Sequence, residues 1–398
     1  MTRDARLVTL VFLLAACSPS PKASPSPEYL YLWTGSADST KPDFLAVLDV
    51  TEDSGRYGRL LTTVPVPGLG NGPHHSEHEM PADGRLFVNG FASGRTFVFD
   101  MSDPAVPRID GEFGDVAGMM HPHSYLRLPN GNVLATFQMQ HDSAGVAPGG
   151  LAEITPQGQV IRTASADLPG VDRAIRPYSA GIVSSLDRLV ITTTDMDADS
   201  ATHAVQVWRL SDLKLLHTIN FPDGPAGSEG AATAEPRVLE DGRTVLVSTF
   251  NCGLYLMEGL ETETPSARLV ASFPQKKGMY CAIPVIAGHY YLVTVPSENA
   301  VVSLDISNPA APREAGRVTL DSADVPHWIS IAPDHRRVVV TGYGALEHRV
   351  LILSFDQATG GLALDRRFRA EGTEEAGWRM DGAPHGAVFG RRKDGKTE

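Results

Sequence analysis

The chain is short of cysteine, of charge and of long apolar runs, and each shortage narrows what it can be. Only three cysteines stand in 398 residues: Cys17, Cys252 and Cys281. No two of them form a CxxC pair, so the paired-thiol readings fall away. Charged residues make up 20% of the chain and sum to a formal net charge of −13. Phosphate backbones need a basic surface, so a nucleic-acid partner is excluded. Beyond the N-terminal segment there is no apolar stretch long enough for a membrane-spanning helix. A phosphate-binding Gly loop between strand and helix, an HExxH pair and a GxSxG elbow are all missing.

What is present is turn chemistry. The 38 glycines and 29 prolines suit many short strands joined by tight turns. At the N-terminus, Arg3 and Arg6 precede the apolar run Leu7 to Ala16, which is too short to cross a bilayer and has the form of an export signal. Leu14-Ala15-Ala16-Cys17 resembles a bacterial lipobox, which would lipidate Cys17; an ordinary secretory signal with a chance cysteine is the alternative. Residues 1–17 are therefore expected to be a signal peptide and 18–28 a Pro/Ser-rich tether. The mature protein is expected outside the cytoplasm, in the periplasm or held to a membrane by its lipid.

A repeat organises the rest. A polar or His-bearing segment, a short apolar stretch, a turn and further β-rich runs recur from His74, His121, Arg176, Ala234, Tyr280, Val325 and, cut short, Ala383. The starts lie roughly 45 to 58 residues apart, which fits four strands per unit. Ala-Asp-Gly, Pro-Asn-Gly and Glu-Asp-Gly punctuate the units as hairpin turns do. The last unit ends after one strand, and YLYLWTGS, DFLAVLDV and RLLTTVPV near the start supply three more. The pattern predicts an all-β, seven-bladed β-propeller over residues 29–390, its last blade closed by the C-terminal strand plus N-terminal strands, with 391–398 a charged tail.

In a propeller the first strand of each blade lines the channel, so residues at the starts of these strands converge. Aligned on their first turns, the units give His75, His123, Tyr178, Glu235, Cys281, His327 and His385 to within about one position. Four of these are histidines on consecutive blades. Converging imidazoles suit Cu, Zn, Fe or Ni rather than Ca or Mg. His74, His78 and His121 are extra imidazoles that could substitute for a neighbour. Glu77 and Glu79 are read as solvated or capping groups, with support of a ligand imidazole as the alternative. Tyr178, Glu235 and His141 are candidates for shaping the pocket or moving protons. Cys252 and Cys281 fall on the same face of adjacent blades, so they are read either as a disulfide or with Cys281 as a thiolate near the metal.

Several of these segments have counterparts in one known family. DFLAVLDV…RLLTTVPVPGLGNGPHHSEHE, the His121-Pro122-His123 segment, ITTTDMD, DISNPAAPR and the terminal His385 resemble the selenium-binding protein family, which includes bacterial methanethiol oxidases. The resemblance implies a propeller, a copper site built from histidines, and oxidation of methanethiol by O2 and water to formaldehyde, hydrogen sulfide and hydrogen peroxide. By matching motif it implies His74, His75, His123 and His385 as ligands. The cysteine-bearing segment that gives the family its selenium link has no match here. The chain is thus read as a copper oxidase of a small thiol, as a non-enzymatic metal-binding or partner-docking propeller lipoprotein, or as a structural propeller without metal.

Overall fold

The computed structural model describes residues 26–140, 147–167, 175–196, 204–342, 348–393 and 396–397. Cys17, His141 and His203 lie outside these residues, as does all of the expected signal peptide. The strands among the described residues form seven antiparallel sheets, six of four strands each and one extended to five. The order within each sheet follows the chain, apart from the sheet that joins the two ends. This is the seven-bladed propeller that the repeat predicts.

The closing blade, here blade 1, sets the C-terminal strand Gly382–Lys393 beside Glu28–Ser36, which pairs in turn with Phe44–Asp49 and then Arg59–Pro65. A two-residue strand, Lys396–Thr397, extends its inner edge. Closure of the ring in this way leaves each sheet covered by its neighbours and only its outer edge open. Arg337 reinforces the seam, donating to the Val50 carbonyl at 2.7 Å and pairing with Glu28 at 2.5 Å.

Burial explains the sequence pattern. The second strands, such as Arg85–Gly90 and Tyr290–Val295, are buried along almost their whole length, because adjacent blades pack on both faces. Their residues are accordingly near-continuous Val, Leu, Tyr and Phe. The outermost strands, such as Arg108–Phe113, alternate between exposed and half-buried, as a one-sided strand does. The apolar clusters sit between blades: Tyr31, Trp33, Phe97 and Phe99 form one such seam. Each fully buried side chain of this kind contributes about 1.5–3 kcal/mol. The turn glycines behave as expected. Gly84 and Gly131 adopt φ of 70° and 85°, in the left-handed region that a side chain disfavours.

The innermost strands line the channel. They are Gly382–Lys393 in blade 1, Pro73–Ser76 in blade 2, Met119–Arg127 in blade 3 and Pro177–Val183 in blade 4. Thr233–Val238, Val285–Ala287 and Pro326–Ile331 serve blades 5, 6 and 7.

Candidate metal centre

The innermost strands share a local irregularity near their starting end. In blade 2, Pro73 pairs with Gly90 but Ser76 pairs with Val88, so the register slips between them. Blades 3, 4, 5 and 7 slip at the corresponding place. Bulges of this kind re-aim side chains and release backbone groups from the ladder. Here a side-chain oxygen from the second strand takes the released N–H. Asn89 accepts from His75 at 2.6 Å, Thr136 from Ser124 at 3.0 Å, Thr192 from Ser179 at 3.0 Å, Ser248 from Glu235 at 3.3 Å and Thr294 from Ala282 at 3.2 Å.

Most of the same groups also reach the next blade. Asn89 Nδ2 donates to the His123 carbonyl at 3.1 Å, Thr136 to Tyr178 at 2.7 Å and Thr192 to Ala234 at 2.6 Å. Thr294 donates to His327 at 3.2 Å and Thr341 to His385 at 2.6 Å. Each bond fixes a strand to its neighbour at the residue that faces the channel. A buried, fully used hydroxyl of this kind is worth about 1 kcal/mol and specifies position as well.

These bonds define the equivalent positions. The channel-facing series is His74, His123, Tyr178, Ala234, Cys281, His327 and His385. The turn-based alignment expects His75 and Glu235 in that series, and this is corrected: both stand one residue deeper, level with Ser124 and Ser179. The connections from inner to second strand differ in length, 77–84 in blade 2 against 128–132 in blade 3, so a count back from the turn slips by a residue.

The imidazoles converge in blade order. The His327 ring centroid lies 4.9 Å from that of His385, His385 4.5 Å from His74, and His74 4.9 Å from His123. His75 lies between blades 2 and 3, 4.2 Å from His74 and 4.3 Å from His123. One ligand atom from each of His74, His75 and His385 falls within 4.8 Å of the other two, a group able to hold a metal ion. His123 adjoins this trio directly; His327 touches it through His385.

Hydrogen bonds set which nitrogen faces inward. His123 Nδ1 donates to the Tyr178 carbonyl at 2.9 Å, and His385 Nδ1 to the His74 carbonyl at 2.6 Å. Both rings therefore present Nε2 as the lone-pair donor, the arrangement that fixes tautomer and orientation in metal-ligating histidines. The Tyr178 hydroxyl holds His75 Nε2 at 3.2 Å. His74 Nδ1, His75 Nδ1 and His123 Nε2 are buried with no hydrogen-bond partner among the described residues. Orphaned imidazole nitrogens in a dry pocket are costly unless something binds them, so the residues fit a transition metal.

Burial pushes all of these rings toward the neutral, ligating form. It holds His74, His75 and His327 well below the ordinary imidazole range, with neighbouring imidazoles adding to the effect. For His123 burial lowers the value to about 3, and for His385 to about 4, each against the opposing pull of its carbonyl partner. Lone pairs are thus free of competition from protons at neutral pH. Aromatic rings enclose the group. Phe91 lies 5.5 Å from His74, Trp328 5.0 Å from His75, and Phe250 5.3 Å from Tyr178.

Other expected residues fall elsewhere. Cys281 is bonded to Cys252, so its sulfur is no thiolate and takes no part at the metal; the pair pins the approach to blade 6 instead. Glu77 neither reaches an imidazole nor meets solvent: it is buried and paired with Arg127 through both oxygens, at 2.7 and 3.0 Å. Glu79 is exposed. His121 is half-buried and holds the Phe91 carbonyl at 3.2 Å. Glu235 is fully buried below the cluster, where Ser179 and Arg237 each donate to Oε2 at 2.7 Å. Sequence reasoning overlooked Trp328, Phe91, Arg237 and the Asn/Thr series. Only the recurrent Thr or Asn near the ends of second strands signals the last of these.

No family model matches the chain. Methanethiol oxidase from a Hyphomicrobium species is 26% identical over 224 residues, covering 50% of this chain and 49% of that protein. Methanethiol oxidase from Ruegeria pomeroyi is 29% identical over 36% of this chain and 34% of its own length. These matches span half or less of those two relatives. Methanethiol oxidase from Danio rerio is 24% identical over 73% of this chain and 69% of its own length. A solved structure described as a hypothetical selenium-binding protein from Sulfolobus tokodaii superposes with a TM-score of 0.75 and 18% identity, covering 94% of this chain and 95% of that one. The Pseudomonas aeruginosa periplasmic gluconolactonase PpgL shares the fold at a TM-score of 0.64 and 14% identity, over 92% of this chain and 99% of its own. This chain is a distant relative of the proteins named methanethiol oxidase and selenium-binding protein.

Proposed function

We propose that this protein is a copper-dependent oxidase of a small thiol, methanethiol or a close analogue, which it converts with O2 and water to an aldehyde, hydrogen sulfide and hydrogen peroxide. The observation that carries this reading is the group of buried, neutral imidazoles drawn from consecutive blades to one mouth of the channel. His74, His75, His123 and His385 would hold the metal, with His327 beside them. Copper bound there supplies the redox chemistry and acidifies a coordinating thiol. The protein's own part is to keep the ligands unprotonated. Phe91, Trp328 and Phe250 surround the group with apolar rings, which suits a small apolar substituent better than a charged one. Tyr178 orients His75 through its hydroxyl.

We further place the mature protein outside the cytoplasm, carried there by residues 1–17 and tethered by Cys17 where that residue is lipidated. The oxidised Cys252–Cys281 pair suits such a compartment. The test is copper-loaded protein given methanethiol under oxygen. Oxygen uptake with matching peroxide supports the reading; metal-loaded protein that consumes no oxygen with any small thiol removes it.

A further inference from the structure

Below the imidazoles the channel holds a second polar cluster that the metal site does not use. Inner strands run from the metal mouth toward the far mouth, so residues later in each strand lie deeper. Glu235 and Arg237 come from blade 5 and His78 follows the inner strand of blade 2. The two layers adjoin at Trp328: His75 lies 5.0 Å from its ring and His78 stacks on it at 4.8 Å.

The hydrogen bonds in this layer do not close. Glu235 is 0% exposed. Its Oε2 accepts from Ser179 and Arg237, while Oε1 is buried with no partner among the described residues. Arg237 also donates to His78 Nε2 at 3.3 Å. A guanidinium cannot accept, so Nε2 must carry the lone pair and the His78 proton sits on Nδ1. That Nδ1–H is buried and unpartnered as well. One layer therefore contains an orphan acceptor on a carboxylate and an orphan donor on an imidazole. Buried orphans cost about 1–3 kcal/mol each, and native interiors satisfy them with ordered water. Glu77 is the contrast, a buried carboxylate with both oxygens spent on Arg127.

We propose that Glu235 and His78 hold a water between them and that Glu235 is the proton acceptor for the metal site, with its outlet at the far mouth of the channel. This rests on the thiol-oxidase reading above. A thiol that binds metal as thiolate must release its S–H proton; the S–H bond breaks heterolytically, the electron pair stays on sulfur and no oxidation state changes. The ligand imidazoles cannot take that proton and remain ligands. Glu235 can, through the water, and it has a route out: the His78 side chain is 25% exposed and that of Arg237 15%. Glu235 acts through water rather than by touching the substrate, so it is a positioning residue. The groups that face it are Ser179 from blade 4, Arg237 and Ser248 from its own blade, His78 from blade 2 and Tyr291 from blade 6. Burial raises its basicity above that of an ordinary glutamate, and Arg237 opposes the rise.

The experiment is the isosteric variant Glu235→Gln in copper-loaded protein, with Glu235→Asp beside it. Glu235→Gln is expected to keep its copper, to lose at least tenfold in kcat with KM little changed, and to lose the acid limb of the pH–rate profile; Glu235→Asp recovers part of the rate. Infrared difference spectra taken on adding methanethiol should show a protonated carboxyl band in the wild type that Glu235→Gln lacks. A wild-type rate and pH profile in Glu235→Gln overturns the proposal, and so does a wild-type spectrum without the band. Wild-type protein that shows the band yet never consumes oxygen supports the acceptor and removes the oxidase reading instead.

Discussion

Two arcs of the same ring use one backbone device for different ends. On blades 7, 1, 2 and 3 the channel-facing position carries His327, His385, His74 and His123; on blades 4, 5 and 6 it carries Tyr178, Ala234 and Cys281. The bulge and the second-strand Thr or Asn recur across both arcs. The frame is therefore indifferent to the chemistry it displays. What differs is one side chain per blade. The histidine arc leaves orphaned nitrogens for a metal to satisfy, whereas Tyr178 and Cys281 at the matching positions of the opposite arc are satisfied within the protein. There Cys281 is tied to Cys252, its N–H donates to the Phe250 carbonyl at 3.1 Å, and Phe250 packs on Tyr178, which holds His75 and His123. The inert arc thus braces the reactive one.

The sharpest way to break this comparison is to remove an imidazole from the reactive arc. His74→Ala or His385→Ala should empty the site of metal and abolish turnover while the far-UV spectrum stays that of the wild type; elemental analysis of the purified variants measures it. Retention of metal in both would mean that the trio is not the site.

Acid should weaken the same arc next most strongly. His123 at about 3 and His385 at about 4 in the folded protein compare with an ordinary 6.5. Both are depressed, so the unfolded chain takes up protons that the folded chain refuses. Their cost is nil above pH 6.5 and grows as the pH falls from about 6.5 toward 4, by several kcal/mol in metal-free protein. Denaturant midpoints across that window measure it, and a flat midpoint contradicts the assignment.

On the inert arc, Cys252→Ser should cost about 3–4 kcal/mol, the chain entropy of a loop closed over a separation of 29 residues. Metal content should hold in the folded fraction; loss of metal along with stability would make the disulfide part of the site. The smallest effect belongs to the shared frame. Thr341→Val removes the bond to the His385 carbonyl and should cost about 1 kcal/mol, with a modest loss of metal affinity. Thr192→Val, on the arc without metal ligands, should cost the same stability and leave affinity alone.

Much of the fold is readable from the chain because propellers repeat. Ala-Asp-Gly and Pro-Asn-Gly mark hairpins by a local rule, and the cut-short unit at Ala383 with three spare strands near the start forces the closure. His123 and His327 follow from the repeat, and His385 from its place in the cut-short last unit. The choice between His74 and His75, and the place of Glu235, does not follow, because the connection from inner to second strand changes length from blade to blade. Trp328 is hidden differently. Next to His327 it reads as a core residue, and only the packing of strands from distant parts of the chain sets it against His75 and His78. Arg127 and Glu77 likewise meet 50 residues apart.

The central claim is that consecutive blades deliver neutral imidazoles to one metal. Elemental analysis of the protein purified from its native compartment, compared with the His74→Ala variant, tests it most directly. The account predicts a stoichiometric transition metal, copper, in the wild type and none in the variant. A wild-type protein with no bound metal, or a variant that keeps it in full, would contradict the claim.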